Sequence, residues 1–242
     1  METQEDFYTT IENFVSQHEE EYNALMDRFI GGDETLTKEE LKLIYYGTAF
    51  SPNYSHLNDD GLSDEIRNAI SYHDFDHAMV LCRQALEKTP TSLQVLKLAS
   101  RADLCIHHYN YIRLRIQYEL DNIMNTNNNG KKTPAPVRVK RGENLFDLKI
   151  EQIKDLILST GDGSSPERAY KIVSVSDEYF ILNSLGINAV QQFLVEDNDK
   201  SYDKICDSNS DRIVYFDITL PMKALNELID ADEEGACPDG QL

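Results

Sequence analysis

The chain has 242 residues, 40% hydrophobic and 27% charged, and its 43 acidic side chains outnumber 23 basic ones for a formal charge of -20. This length suits one large domain or two small ones, and the apolar fraction is enough to bury a core, so extended disorder is excluded. A surface this negative repels phosphate backbones and anionic membranes, which excludes nucleic acid as a partner, and it also keeps the protein dissolved.

The opening "METQEDFYTTIENF" has no basic start followed by an apolar run, and no stretch of 18 apolar residues occurs anywhere. The expectation is a chain with no export leader and no membrane insertion, cytoplasmic by that absence. Phe7, Ile11, Phe14, His18, Tyr22, Leu25 and Phe29 recur at steps of three and four, which predicts one long amphipathic helix ended by Gly31-Gly32. Thr37 with Glu40 forms a capping box for a second helix, Lys38 to Tyr46, closed by Gly47. From Leu62 to Met124 the pattern is helical throughout. Phe75, Ala78, Cys82, Ala85 and Pro90 have the spacing of the second helix of a tetratricopeptide repeat, in which small alanines let paired helices approach. Leu93, Leu96, Ser100 and Leu104 predict a further helix, and Ile112, Ile116, Leu120 and Ile123 another.

The stretch Asn125 to Asn144, rich in asparagine and holding two prolines and the densest basic cluster, reads as a linker or long loop. Phe146, Ile150, Ile153 and Ile157 predict a helix ending at Gly161. The period then changes to β-branched and aromatic runs: strands at Tyr170 to Val175, Ala189 to Val195, Tyr202 to Asp207 and Asp211 to Thr219, with a short helix after Ser176 and a terminal helix after Leu220. The fold class is therefore α+β: a mainly helical N-terminal part with tetratricopeptide-like pairs, then a small, predominantly antiparallel sheet with short helices. The implied regions are 1–125, a linker at 126–145, a small α/β part at 146–230 and an acidic tail at 231–242.

Three segments, "IYYGTAFSPNY" (Ile44 to Tyr54), "LSTGDGSSPERAYKIVSVSDEYFIL" (Leu158 to Leu182) and "IVYFDIT" (Ile213 to Thr219), resemble in content and order the bacterial family called domain of unknown function 4919. The resemblance implies a helical, repeat-like front and a small mixed α/β back. It transfers no catalytic residues, because the family has no established activity.

Chemistry must then be sought residue by residue. Gly161-Asp162-Gly163-Ser164 looks like a phosphate cradle, but it follows a helix, lacks a lysine and offers a repelling carboxylate. The other reading is a stiff joint: Gly161 in the left-handed region past the helix end, Gly163 at a second special angle, Asp162 or a serine satisfying loose amides, and Pro166 opening a turn. The series beginning at Asp197 and Asp207 alternate oxygen ligands, yet the sixth and twelfth places of a calcium loop hold Tyr202 and Ser208 in one case and Arg212 and Ile218 in the other. His73 and His77 lack the glutamate of a zinc-protease helix, and Cys82, Cys105, Cys206 and Cys237 form no CxxC pair, so they read as free thiols. Neither a metal nor a cofactor is expected. Asp177-Glu178 offers paired carboxylates for acid–base work or, equally, a favourable charge at a helix start. Tyr45, Tyr46, Phe50 and Tyr54 cluster around Gly47, suiting a peptide or glycan groove as well as helix packing. The candidate binding residues are Tyr45, Tyr46, Phe50, Tyr54, Asp162, Ser164 and Glu178. The expected function is a non-catalytic binding or scaffold protein for a protein or peptide partner; the alternative is a hydrolase with a site near Asp162.

Overall fold

The computed structural model describes residues 4–51, 54, 61–124, 136, 144–197 and 200–226. The basic linker cluster and the acidic tail lie outside the described residues.

The first amphipathic stripe runs through two helices, α1 (Gln4–Gln17) and α2 (Glu19–Gly31), instead of one. His18 leaves helical geometry at φ -129° and ψ 46°, although its amide still reaches Phe14 O at 2.9 Å and its carbonyl accepts from Tyr22 at 2.9 Å. Both segments pack on α3 (Lys38–Gly47), and a break without glycine or proline leaves the three-four spacing untouched. Gly32, at φ 76°, ends α2. The capping box forms as predicted: Glu40 N donates to Thr37 Oγ1 at 3.2 Å, and Thr37 N donates to Glu40 Oε2 at 2.7 Å. Gly47 is required for packing, since a Cβ there would stand 2.6 Å from the Tyr22 ring. A 3-10 turn, Thr48–Phe50, follows.

Helices α4 (Leu62–Ser71), α5 (Phe75–Lys88) and α6 (Leu93–Met124) enclose a compact cluster of Ile66, Ala69, Ala78, Cys82, Ala85, Val95, Ala99 and Ala102. The small side chains at the contact are what allow the helix axes to come close. The region predicted as two helices beyond Leu93 is a single helix of 32 residues, because no glycine or proline interrupts it.

Helix α7 (Leu145–Leu158) begins at Asn144, whose side chain accepts from Asp147 N at 2.7 Å. After it come β1 (Tyr170–Lys171), α8 (Val175–Ser184), β2 (Ala189–Asp197), β3 (Lys200–Asp207), β4 (Ile213–Asp217) and helical residues 219–226. The sheet order is β1-β4-β3-β2; β1 runs parallel to β4 and the other two pairings are antiparallel. The first strand is shorter than its β-branched run predicts, since after Lys171 tyrosine hydroxyls take over the backbone partners that a ladder would supply. The β3–β4 hairpin is tied by Asp207, which accepts from Asn188 N, Asn209 N and the Ser210 hydroxyl. One apolar core joins Ile11, Phe29, Ile44, Tyr45, Tyr46 and Leu93 to Ile153, Ile157, Ile172, Ile181, Val214 and Phe216, so helical front and sheet share an interior.

Candidate functional site

Tyr45 and Tyr46 sit next to each other on α3 with ring centroids 4.8 Å apart, and both are buried. Their hydroxyls, with that of Tyr54, reach the segment between β1 and α8. Tyr45 donates to Asp177 Oδ2 at 2.6 Å and accepts from Val173 N at 3.3 Å; Tyr46 donates to Lys171 O at 3.0 Å; Tyr54 donates to Val173 O at 2.5 Å. Backbone groups that would be orphaned in a dry interior are thus paired across the two parts of the chain. Phe7 stacks edge-on against Tyr46, with Lys42 Nζ 4.3 Å and Lys171 Nζ 5.7 Å from its ring centroid.

Asp177 and Glu178 open α8 and are fully buried. Asp177 and Glu178 lie one turn before Ile181 and Leu182, on the face of α8 that packs into the core, while Tyr179 and Asn183 stay exposed. Burial raises the Asp177 carboxyl to about 7 against the pull of the Tyr45 hydroxyl. Glu178 makes no hydrogen bond at either oxygen, and burial first, then the Asp203 charge, raise its carboxyl to about 10. It is therefore neutral at pH 7 and does not serve as a base. Neither group lines a cavity described below.

Asp162 and Ser164 lie on an exposed turn after α7. The Asp162 Oδ1 accepts from Ser164 N at 3.0 Å and Ser164 Oγ at 2.6 Å, while Oδ2 pairs with Arg168 at 2.5 Å; the serine bonds, then the arginine, hold the carboxyl below its ordinary range. Gly163 takes the left-handed angle, φ 69°, but Gly161 does not. Gly161 is needed for another reason: a Cβ there would meet the Arg168 carbonyl oxygen at 2.1 Å. Pro166 opens the 3-10 turn Pro166–Arg168 as its spacing predicted. His73, at φ 62°, lies in the α4–α5 turn, and Asp74 after it caps α5 by accepting from His77 N at 3.3 Å. Among the described residues no three histidine, cysteine or acidic side chains group around a common metal position.

Two large cavities open at the surface. The first, about 770 Å³, is lined by Val15, Tyr22, Phe50, Tyr54 and Leu220 with Glu12, Glu19 and Lys223 at polar positions. It therefore gathers two of the sequence candidates, Phe50 and Tyr54, and adds Tyr22, which the sequence places on the amphipathic stripe, with Val15 and Leu220, which no sequence motif singles out. The second, about 870 Å³, lies between α6, α7 and α8 and includes Lys97, Arg101, Phe180 and Ser176. Of the seven candidates, Tyr45 and Tyr46 with Glu178 belong to the interior, Asp162 with Ser164 to the exposed turn, and Phe50 with Tyr54 to the first cavity. Among the described residues, no helix is long and apolar enough to cross a membrane.

Neither the curated proteins nor the solved structures provide a match to the chain. The family model for a domain of unknown function matches residues 9–140 and 137–227, which takes in both the helical front and the sheet. The chain belongs to that family, the domain of unknown function DUF4919.

Proposed function

We propose that this protein is a non-catalytic binding protein that receives a peptide segment of another protein in the first cavity. The observation that supports this reading is a solvent-open groove with Phe50 and Tyr54 at half-buried positions beside Val15 and Leu220, an apolar floor with polar edges. Tyr54 is held in place through its hydroxyl bond to Val173 O, so its ring is pre-oriented and costs little entropy on binding. Glu12 and Glu19 at the rim, on a chain of charge -20, favour a partner with an aromatic or aliphatic anchor next to lysine or arginine. Selection from a displayed random-peptide library tests it. Basic peptides with one large apolar residue are expected, with binding reduced on the order of tenfold or more by Phe50→Ala. No enrichment, or enrichment indifferent to Phe50→Ala, rejects the groove.

A second binding mode rests on β2. It is an edge strand of nine residues with Val190, Phe193 and Leu194 exposed, so an extended partner could add to it through the backbone. Peptides selected through that edge would lose binding to Val195→Pro and keep it with Phe50→Ala.

A further inference from the structure

Helix α6 carries one apolar seam along its length. Val95, Leu98, Ala102 and Cys105 continue through Tyr109, Ile112, Ile116 and Leu120 at steps of three and four. The first part is covered: Val95 and Ala102 are 1% and 0% exposed and pack with Leu98 into the α4–α5 cluster. The second part is not. Tyr109, Ile112, Ile116 and Leu120 are 64%, 42%, 55% and 47% exposed, and with 3.6 residues per turn they fall within an arc of about 80°. A contiguous row of large apolar groups in water marks an interaction surface.

We propose that this stripe is the self-association surface of the protein, occupied by the same stripe of a second copy in antiparallel, two-fold arrangement. Charge selects that occupant and that direction. Arg113 and Arg115 lie in the N-terminal half of the exposed stretch and Glu119 and Asp121 in its C-terminal half, so residues 106–124 carry equal numbers of arginine and acidic side chains within a chain of -20. Two copies that meet here add little to the repulsion of their net charges. Arg115 and Glu119 lie on one flank of the stripe, and antiparallel pairing brings Glu119 of each copy level with Arg115 of the other, as an isologous interface requires, whereas parallel pairing sets Arg115 beside an arginine. The present Arg115–Glu119 contact, 3.8 Å with both side chains more than half exposed, is a weak surface pair that yields readily to an intermolecular one. The exposed positions are spaced three, four and four residues apart, close to the 3.6 of a straight helix, so the stripe stays on one side along its length.

Sedimentation equilibrium on the whole chain tests this. Wild type is expected to follow a monomer–dimer equilibrium. Ile116→Asp should raise the dimer dissociation constant on the order of tenfold or more without changing the circular dichroism spectrum, since the side chain is already in water. The variant Arg113→Glu/Arg115→Glu and the variant Glu119→Arg/Asp121→Arg should each fail to dimerise alone and should form a heterodimer when mixed. A wild type that stays monomeric at every concentration, as when residues 125–143 of the same chain or a different protein cover the stripe, overturns the proposal. So does a dimer indifferent to Ile116→Asp.

Discussion

The two interiors of this molecule are built on different terms. The α4–α5–α6 cluster is alanine, cysteine, isoleucine and valine, held by close approach of helices and indifferent to proton concentration. The joint between α3 and the start of α8 is equally dry but places Tyr45, Tyr46, Asp177 and Glu178 in it, so it depends on matched hydrogen bonds and on where protons sit. Apolar packing tolerates rearrangement as long as volume is kept, whereas a buried polar joint is confined to arrangements that keep its directional bonds, here Tyr45 to Asp177 and Tyr46 to Lys171 O. The helical front is thereby docked on the sheet in one register.

The largest expected effect is on pH dependence. The Asp177 carboxyl rises from 3.8 to about 7 on folding. The folded state then holds a proton that the unfolded state releases, so this contribution to stability is full below the ordinary carboxylate range and is lost as pH rises through about 7. Three units at about 1.4 kcal/mol each give about 4 kcal/mol between acid and neutral pH. Urea unfolding of wild type and Asp177→Asn across that range should show the wild type losing the larger amount, and parallel curves would remove the charge from the account. Glu178 acts with the same sign in both proteins, from the ordinary carboxylate range up to about 10, so the comparison isolates Asp177. In the apolar cluster Ala85→Leu should cost about 1–3 kcal/mol by overpacking. That loss should be the same at every pH, so a pH-dependent penalty would erase the contrast between the two interiors. Tyr54→Phe should be mildest, about 1 kcal/mol for one hydrogen bond to Val173 O, read as a small drop in the denaturation midpoint.

Much of this architecture is legible in the residues. The Thr37–Glu40 capping box, the Gly32 helix stop, the Pro166 turn and the positions of the strands along the chain follow from local chemistry, which depends on near neighbours. The bend at His18 does not, because both sides keep the same apolar stripe and only the surface of α3 dictates a change of direction. The continuity of α6 past Ser100 was obscured by reading two apolar groupings as two helices, although no breaker residue separates them. At the candidate site, Phe50 and Tyr54 were identifiable as aromatic surface, but Tyr22 and Leu220 join them only through contacts between distant segments. Asp177 and Glu178 look like an exposed helix start, and only their i, i+4 relation to Ile181 and Leu182 marks the face that the core covers.

The exposed turn after α7 bears on how the protein ages. Among aspartate dipeptides, aspartate followed by glycine is the most prone to ring closure, in which the glycine nitrogen attacks the aspartate side chain and leaves an isomerised backbone. Here the Gly163 amide is engaged with Arg168 O at 2.8 Å, and the Asp162 carboxylate is held by Ser164 and Arg168. Nucleophile and electrophile are both restrained by the folded chain, so chemical damage at this position becomes a record of time spent unfolded.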